Sequence, residues 1–212
     1  MTTRLYTNPI HLEHLTPEGH PERPERLRAL ENALERELFD DLDRVLSPQA
    51  DESTVLLVHS EDHLAKGRKA IPEKGMAHID ASVLYCSTHQ MPLFPGTGAK
   101  DEVGAGNIFN APLSAQSSGN LFREAFRARI LPALENMRPD LIIISAGFDA
   151  HHRDPLAEIN LTEDDFDWAT GKLMDIAQRC CDNRLVSLLE GGYDLVGLAE
   201  SGASHINRLM RG

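Results

Sequence analysis

The stretch Pro139-Asp140-Leu141-Ile142-Ile143-Ile144-Ser145-Ala146-Gly147-Phe148-Asp149-Ala150-His151-His152 decides the fold. Its aliphatic run, Leu141 to Ile144, shows no polar alternation. A strand of that kind has both faces covered, as the central strands of parallel sheets do. Gly147 then breaks the run and delivers Asp149, His151 and His152 to its end. Downstream, Leu185-Val186-Ser187-Leu188-Leu189 repeats the pattern and ends in Glu190-Gly191-Gly192-Tyr193. Upstream, Val83-Leu84-Tyr85-Cys86-Ser87 is a β-like run leading into Thr88-His89-Gln90.

Helical periodicity separates these runs. Phe122, Phe126, Ile130 and Leu134 stand in register between Leu121 and Met137. Thr162 and Asp165 fit a capping box that opens a helix bearing Phe166, Ala169, Leu173, Ile176 and Cys180 on one face. A last helix carries Leu195, Leu198, Ala199, Ile206 and Leu209. Near the start, His20-Pro21-Glu22-Arg23-Pro24-Glu25-Arg26-Leu27 yields to a helix with Leu27, Leu30, Leu34 and Leu38 on one face. A further helical pattern runs from about Asp51 to Lys69. His89 to Gly119 reads as one long irregular stretch, with five glycines and three prolines. Strands alternating with helices predict an α/β fold with a mainly parallel sheet layered between helices. No repeat, linker or low-complexity tract divides the 212 residues, so one domain over 1–212 is expected.

The net charge of −12 disfavours binding to phosphate backbones and suits a cationic partner. Its plain reading is a solvated acidic surface. Three cysteines, Cys86, Cys180 and Cys181, form no C-x-x-C pair and no disulfide framework. No run is long and apolar enough for a bilayer. A reducing, cytoplasmic setting is expected.

In open parallel sheets ligands bind beyond the carboxyl ends of the strands. The three strand ends should therefore gather His89, then Asp149 with His151 and His152, then Gly191, Gly192 and Tyr193 on one rim. Each has a plain reading as well. Asp149 could cap a turn, the histidines could be solvated loop residues, and the glycines could supply positive φ.

Taken together, Ser87 to Gly98 (STHQMPLFPGTG), Ser145 to His151 (SAGFDAH) and Leu189 to Leu195 (LEGGYDL) resemble the histone deacetylase family, in its bacterial and class II-like members. His20 to Leu27 and Asn160 to Phe166 (NLTEDDF) fit the same pattern. The resemblance implies an arginase/deacetylase-like fold and zinc-dependent hydrolysis of acetyl-lysine or acetylated polyamine amides. It implies that Asp149 is a zinc ligand and that Tyr193 is the donor to the substrate carbonyl, where charge develops. Phe94 would be an aromatic wall of the acyl tunnel. Gly191 and Gly192 would leave room beside the tyrosine, Asp80 would hold the substrate backbone at the rim, and Arg26 would stand at an internal exit cavity.

The sequence departs from that family in one large respect. The tandem histidines that supply the general base, and the D-x-H that supplies the other two zinc ligands, are missing. The segment that carries them would lie between His78-Ile79-Asp80-Ala81 and Ser82-Val83-Leu84-Tyr85, which abut here at a junction near 80–82. A catalytic zinc needs about three protein ligands and an open position. His89 and His151 are the candidates for a makeshift set with Asp149. Losing strands should also leave a smaller sheet with an exposed edge, or self-association across it. The readings that follow are a zinc-dependent deacetylase by lineage and a catalytically inactive deacetylase-like binding module or truncated product. An arginase-like dinuclear site is a third, faintly suggested by Asp149, His151 and Asp154.

Overall fold

Parallel pairing runs through every strand of the computed structural model, which describes residues 2–13, 16–48, 50–56, 82–94 and 96–212. The expected α/β class holds, but among the described residues the sheet comes in three separate two-stranded pieces. Strand β1 (Arg4–Thr7) pairs with β2 (Asp43–Leu46), β3 (Tyr85–Gln90) with β4 (Ile108–Leu113), and β5 (Ile142–Ala146) with β6 (Leu185–Leu189). Asp80, the junction near 80–82 and most of the helix expected over Asp51 to Lys69 lie outside the described residues. The described part of that helix is α2 (Glu52–Val55).

Helix α1 (Glu25–Ala33) follows β1 and buries Arg26 and Ala33. It stops short of Leu38, which is exposed within a 3-10 turn at Glu37–Phe39; Phe39 is the buried residue there. The periodic segment before β5 forms α3 (Gly119–Ala125), a π turn (Phe126–Ile130) and α4 (Leu131–Met137). All four residues expected on its inner face are buried. Helix α5 (Glu163–Cys180) opens on the expected capping box of Thr162 and Asp165: the Thr162 amide donates to Asp165 Oδ2 at 3.0 Å and its Oγ1 to the same oxygen at 3.3 Å, while the Asp165 amide closes a turn onto the Thr162 carbonyl at 2.9 Å. Asp165 also accepts from Arg123 Nε at 2.8 Å, which ties α5 to α3. Helix α6 (Leu195–Met210) starts where Asp194 Oδ1 accepts from the Gly197 amide.

The main core gathers Phe122, Phe126, Ile130, Ile142, Leu161 and Ile176. A second cluster joins Ala33, Leu34 and Phe39 to Ala203, so α1 packs on α6. Each large aliphatic buried here contributes roughly 1.5–3 kcal/mol.

Three expectations need correcting. Among the described residues β5 and β6 are covered on one face, by α5 and α6, and not on both: Ile143, Val186 and Leu188 are exposed. The stretch from His89 to Gly119 is not all loop, because Ile108–Leu113 is a strand. Pro112 is tolerated there because β4 pairs on one side only and needs no donor on the other. His89 and Gln90 lie within β3 rather than beyond it, since the ladder extends to Gln90 opposite Leu113.

Candidate active site

The ends of β5 and β6 meet as the sequence predicts. The Glu190 amide donates to the Ala146 carbonyl at 3.0 Å, and the Phe148 amide donates to the Gly191 carbonyl at 2.9 Å. These bonds hold the Asp149 loop against the Tyr193 loop. Gly147 and Gly191 both border the Asp149 carboxylate. A Cβ on Gly191 would fall 2.6–2.9 Å from it, and one on Gly147 would fall 2.9 Å from its Oδ1. Glycine is therefore required at Gly191 by space, while Gly192 adopts φ +122°.

Arg26 clamps this rim. It is 3% exposed and comes from the first turn of α1. Its Nε donates to the Gly192 carbonyl at 2.6 Å and its Nη2 to the Glu190 carbonyl at 2.5 Å, while Nη1 pairs with Glu22. The guanidinium lies over the Tyr193 ring at 5.0 Å. Asp154 holds the other side. Its Oδ1 accepts from the Leu156 amide and its Oδ2 from the Tyr193 amide at 2.8 Å. Sequence reasoning did not assign Glu22 or Asp154 a positioning role. The signals were there: Glu22 stands four residues before Arg26, and Asp154-Pro155 is a turn dipeptide.

Burial raises the pKa of the Asp149 carboxyl, the nearby charge of Asp154 adds to this, and Arg26 opposes it. Tyr193 is also raised, by burial first and then by the charge of Asp149, so its hydroxyl keeps its proton and can donate. A protonated phenol beside a carboxylate and bare glycine backbone can bind and polarise a carbonyl oxygen.

The remaining predicted residues do not join this group. Phe94 is 93% exposed on the loop after β3, and among the described residues β3–β4 shares no sheet with β5–β6. His89 is held within its own strand pair: Nε2 donates to the Gly98 carbonyl at 2.9 Å, which leaves Nδ1 to accept from Ser87 Oγ. His151 is 1% exposed and turned toward α5 and α6. Its Nδ1 accepts from the Arg153 amide, which leaves Nε2 to donate to Glu163 at 3.2 Å. Burial lowers its pKa, and Glu163 partly offsets this. His152 stacks on it at 4.3 Å and bonds the Leu161 carbonyl.

With every ring nitrogen of His89 and His151 engaged, neither offers a lone pair beside Asp149. Among the described residues, no three His, Cys, Asp or Glu side chains group as a metal requires. The donor set of the described residues therefore does not fit a catalytic zinc. The dinuclear reading fails on the same ground, since Asp154 is committed to backbone amides.

Parallel strands between helices, with Asp149, Gly191, Gly192 and Tyr193 gathered beyond the carboxyl ends of β5 and β6, define an α/β protein. Comparison with known proteins places it more closely. The histone deacetylase domain model matches residues 74–209, and the chain belongs to that family. It is 40% identical over 126 residues to a chloroplastic histone deacetylase 10 of Oryza sativa subsp. japonica, covering 58% of this chain and 28% of that protein. It is 43% identical over 136 residues to a probable deacetylase of Methanothermobacter thermautotrophicus, covering 61% and 40%. The chain thus spans well under half the length of these curated relatives. The solved HDA15 HD domain superposes with a TM-score of 0.85 at 22% identity, over all of this chain and 89% of that one, and so shares the fold. No helix among the described residues is long and apolar enough to cross a membrane.

Proposed function

We propose that this chain, as one domain over 1–212, is a deacetylase-family scaffold that keeps the carbonyl-binding side of an amide hydrolase site and is catalytically silent by itself. The observation that carries this reading is the isolation of Asp149. Its nearest sequence candidates for co-ligands, His89 and His151, have both ring nitrogens in hydrogen bonds elsewhere. In the lineage, zinc would activate the water that attacks an acetyl-lysine or acetylpolyamine amide. Here Tyr193, Gly191 and Gly192 can still receive the acyl carbonyl, but among the described residues none is positioned to take a proton from water. The ligand class is an acetylated amine, and the negative charge favours a cationic carrier such as a basic peptide or polyamine. Three free thiols support a reducing, cytoplasmic setting.

The test is acetate release from an acetyl-lysine peptide with added zinc, measured for the chain and for Asp149→Ala. Equal, background rates are expected, together with no stoichiometric zinc binding by calorimetry. Turnover that Asp149→Ala abolishes would overturn the reading and restore the deacetylase activity of the lineage.

A further inference from the structure

The pieces of the broken sheet leave a slot with strand edges on both sides. A cavity of about 1100 Å³ is lined by Thr2 through Asn8 along β1 and by Leu185 through Glu190 along β6. Of the strands paired to these, β5 contributes only Ala146, and no residue of β2 itself lines the cavity. The cavity therefore lies against the outer edges of β1 and β6, which pair with nothing among the described residues.

Ladder parity shows which backbone groups face it. The Asp43 amide donates to Thr3 and the Ser47 amide to Thr7, so alternate residues from Thr3 face β2 and Arg4 and Tyr6 face the slot. The Ile142 amide donates to Arg184 and the Glu190 amide to Ala146. By the same alternation, Leu185, Ser187 and Leu189 turn their N–H and C=O groups into the slot.

The two edges run in the same direction. Arg26, at the start of the helix returning along β1, reaches the Glu190 carbonyl at the end of β6. Thr3, at the start of β1, donates to the Leu209 carbonyl near the end of α6, the helix returning along β6. The floor is mainly apolar, with Leu30 of α1, Leu34 at its end and Ile206 of α6, beside the ring of His205.

We propose that this slot takes up one extended apolar segment of another polypeptide, which adds as a parallel strand between β1 and β6. Two co-directed strand edges facing a single gap select an occupant that presents backbone donors and acceptors on both sides, which a strand does and a small metabolite does not. A single extended segment suits a gap walled on both sides, whereas the folded edge of a second copy would bring its own sheet pair and covering helices with it. The occupant is uncharged along its core, lacks proline, and carries apolar side chains toward Leu30 and Ile206. Its outer side chains would lie level with the exposed Tyr6, Val186 and Leu188.

The test uses the intact chain and blocked, fluorescent peptides with a Val-Ile-Val-Ala-Val core between lysine pairs. Two controls keep the lysines and the side chains: one is N-methylated at alternate core positions, and the other has proline at the core centre. Anisotropy should show saturable binding by the first peptide and at least about tenfold weaker binding by both controls, since each loses two or more backbone hydrogen bonds. Amide hydrogen exchange at Arg4, Tyr6, Leu185, Ser187 and Leu189 should slow on binding, while the amides already bonded within the pairs change little. Equal binding of all three peptides would reduce the effect to charge attraction and overturn the proposal. Full protection of the slot amides without peptide would do the same. If that protection depends on protein concentration, a second copy fills the slot; if it does not, the chain fills it itself.

Discussion

Acid should destabilise this protein through His205, in a direction that the burial of its ring sets. His205 lies buried on α6 between two hydroxyls. Thr170 Oγ1 donates to the Phe166 carbonyl at 2.6 Å, so it must accept from His205 Nδ1–H. The other nitrogen, Nε2, is then the acceptor for Ser187 Oγ–H at 2.9 Å. The ring is neutral in one tautomer, and a second proton would cost the Ser187 bond and charge a site with no counter-ion. Burial accordingly lowers its pKa from 6.5 to about 4. Between those values the unfolded chain binds the proton and the folded chain does not. Stability contributed by neutral His205 is thus complete above pH 6.5 and is lost as pH falls toward 4. At 1.36 kcal/mol per unit the loss approaches about 3 kcal/mol. Urea unfolding at pH 7, 5.5 and 4 measures it. Carboxylates also titrate in this range, so the comparison is with His205→Gln, which keeps a polar side chain and cannot ionise. The variant should start less stable and lose about 3 kcal/mol less than the parent between pH 7 and 4. Parallel pH profiles for the two proteins would refute the argument.

Four further outcomes follow from the packing. Gly191→Ala should cost about 1–3 kcal/mol through the clash with Asp149, and the cost should shrink in an Asp149→Ala background, as a double-mutant cycle by urea unfolding would show. Arg26→Ala leaves the Gly192 and Glu190 carbonyls without their donor and should cost about 3–5 kcal/mol in the same assay; Arg26→Lys should recover only part, because an ammonium cannot span both carbonyls as the fork does. Asp165→Ala removes the α5 cap and the Arg123 partner together and should lower stability by about 2–4 kcal/mol, read as a shifted urea midpoint. Burial pushes the Cys86 thiol up to about 11, so at pH 8 its alkylation should be slow in the folded protein and fast in urea, as mass spectrometry would resolve.

What the sequence made legible follows from which forces it encodes locally. Strands β5 and β6 announce themselves because all but one residue of each, Ser145 and Ser187, is aliphatic, and α5 does so because Thr162 and Asp165 close their own capping box. Strand β4 is hidden by Asn110 and Pro112, which read as loop chemistry until the one-sided pairing with β3 is known. Strands β1 and β2 are four residues each and mix charge with apolar groups, so only their mutual register reveals them. At the site, Asp149, Gly191 and Tyr193 were readable because strand direction alone brings them to one rim. His151 was not. Two positions from Asp149, its ring could have turned toward the carboxylate or toward Glu163, and the choice is made by helices distant in sequence. The same holds for Phe94, whose role as a wall depends on a neighbouring strand that β3–β4 does not have among the described residues.

The half that persists and the half that is absent have one physical cause. Every bond that builds the Tyr193 side joins elements already in contact: β5 to β6 through Ala146 and Gly191, α1 to β6 through Arg26, and the loop after β5 to the loop after β6 through Asp154. Such a site needs no further strand to stand. A zinc site is different, because three ligands must converge from separate elements, each held by its own neighbours. The flanks from which further ligands would reach Asp149 are the open edge of β5 toward β3–β4 and the open edge of β6 toward β1. Restoring a strand at either edge is therefore a different perturbation from adding zinc. The first supplies backbone pairing and a platform for ligands, while the second supplies a charge with only Asp149 among the described residues of the rim to receive it. Zinc alone should accordingly leave the chain inert, and peptide uptake in the slot should raise stability whether or not metal is present.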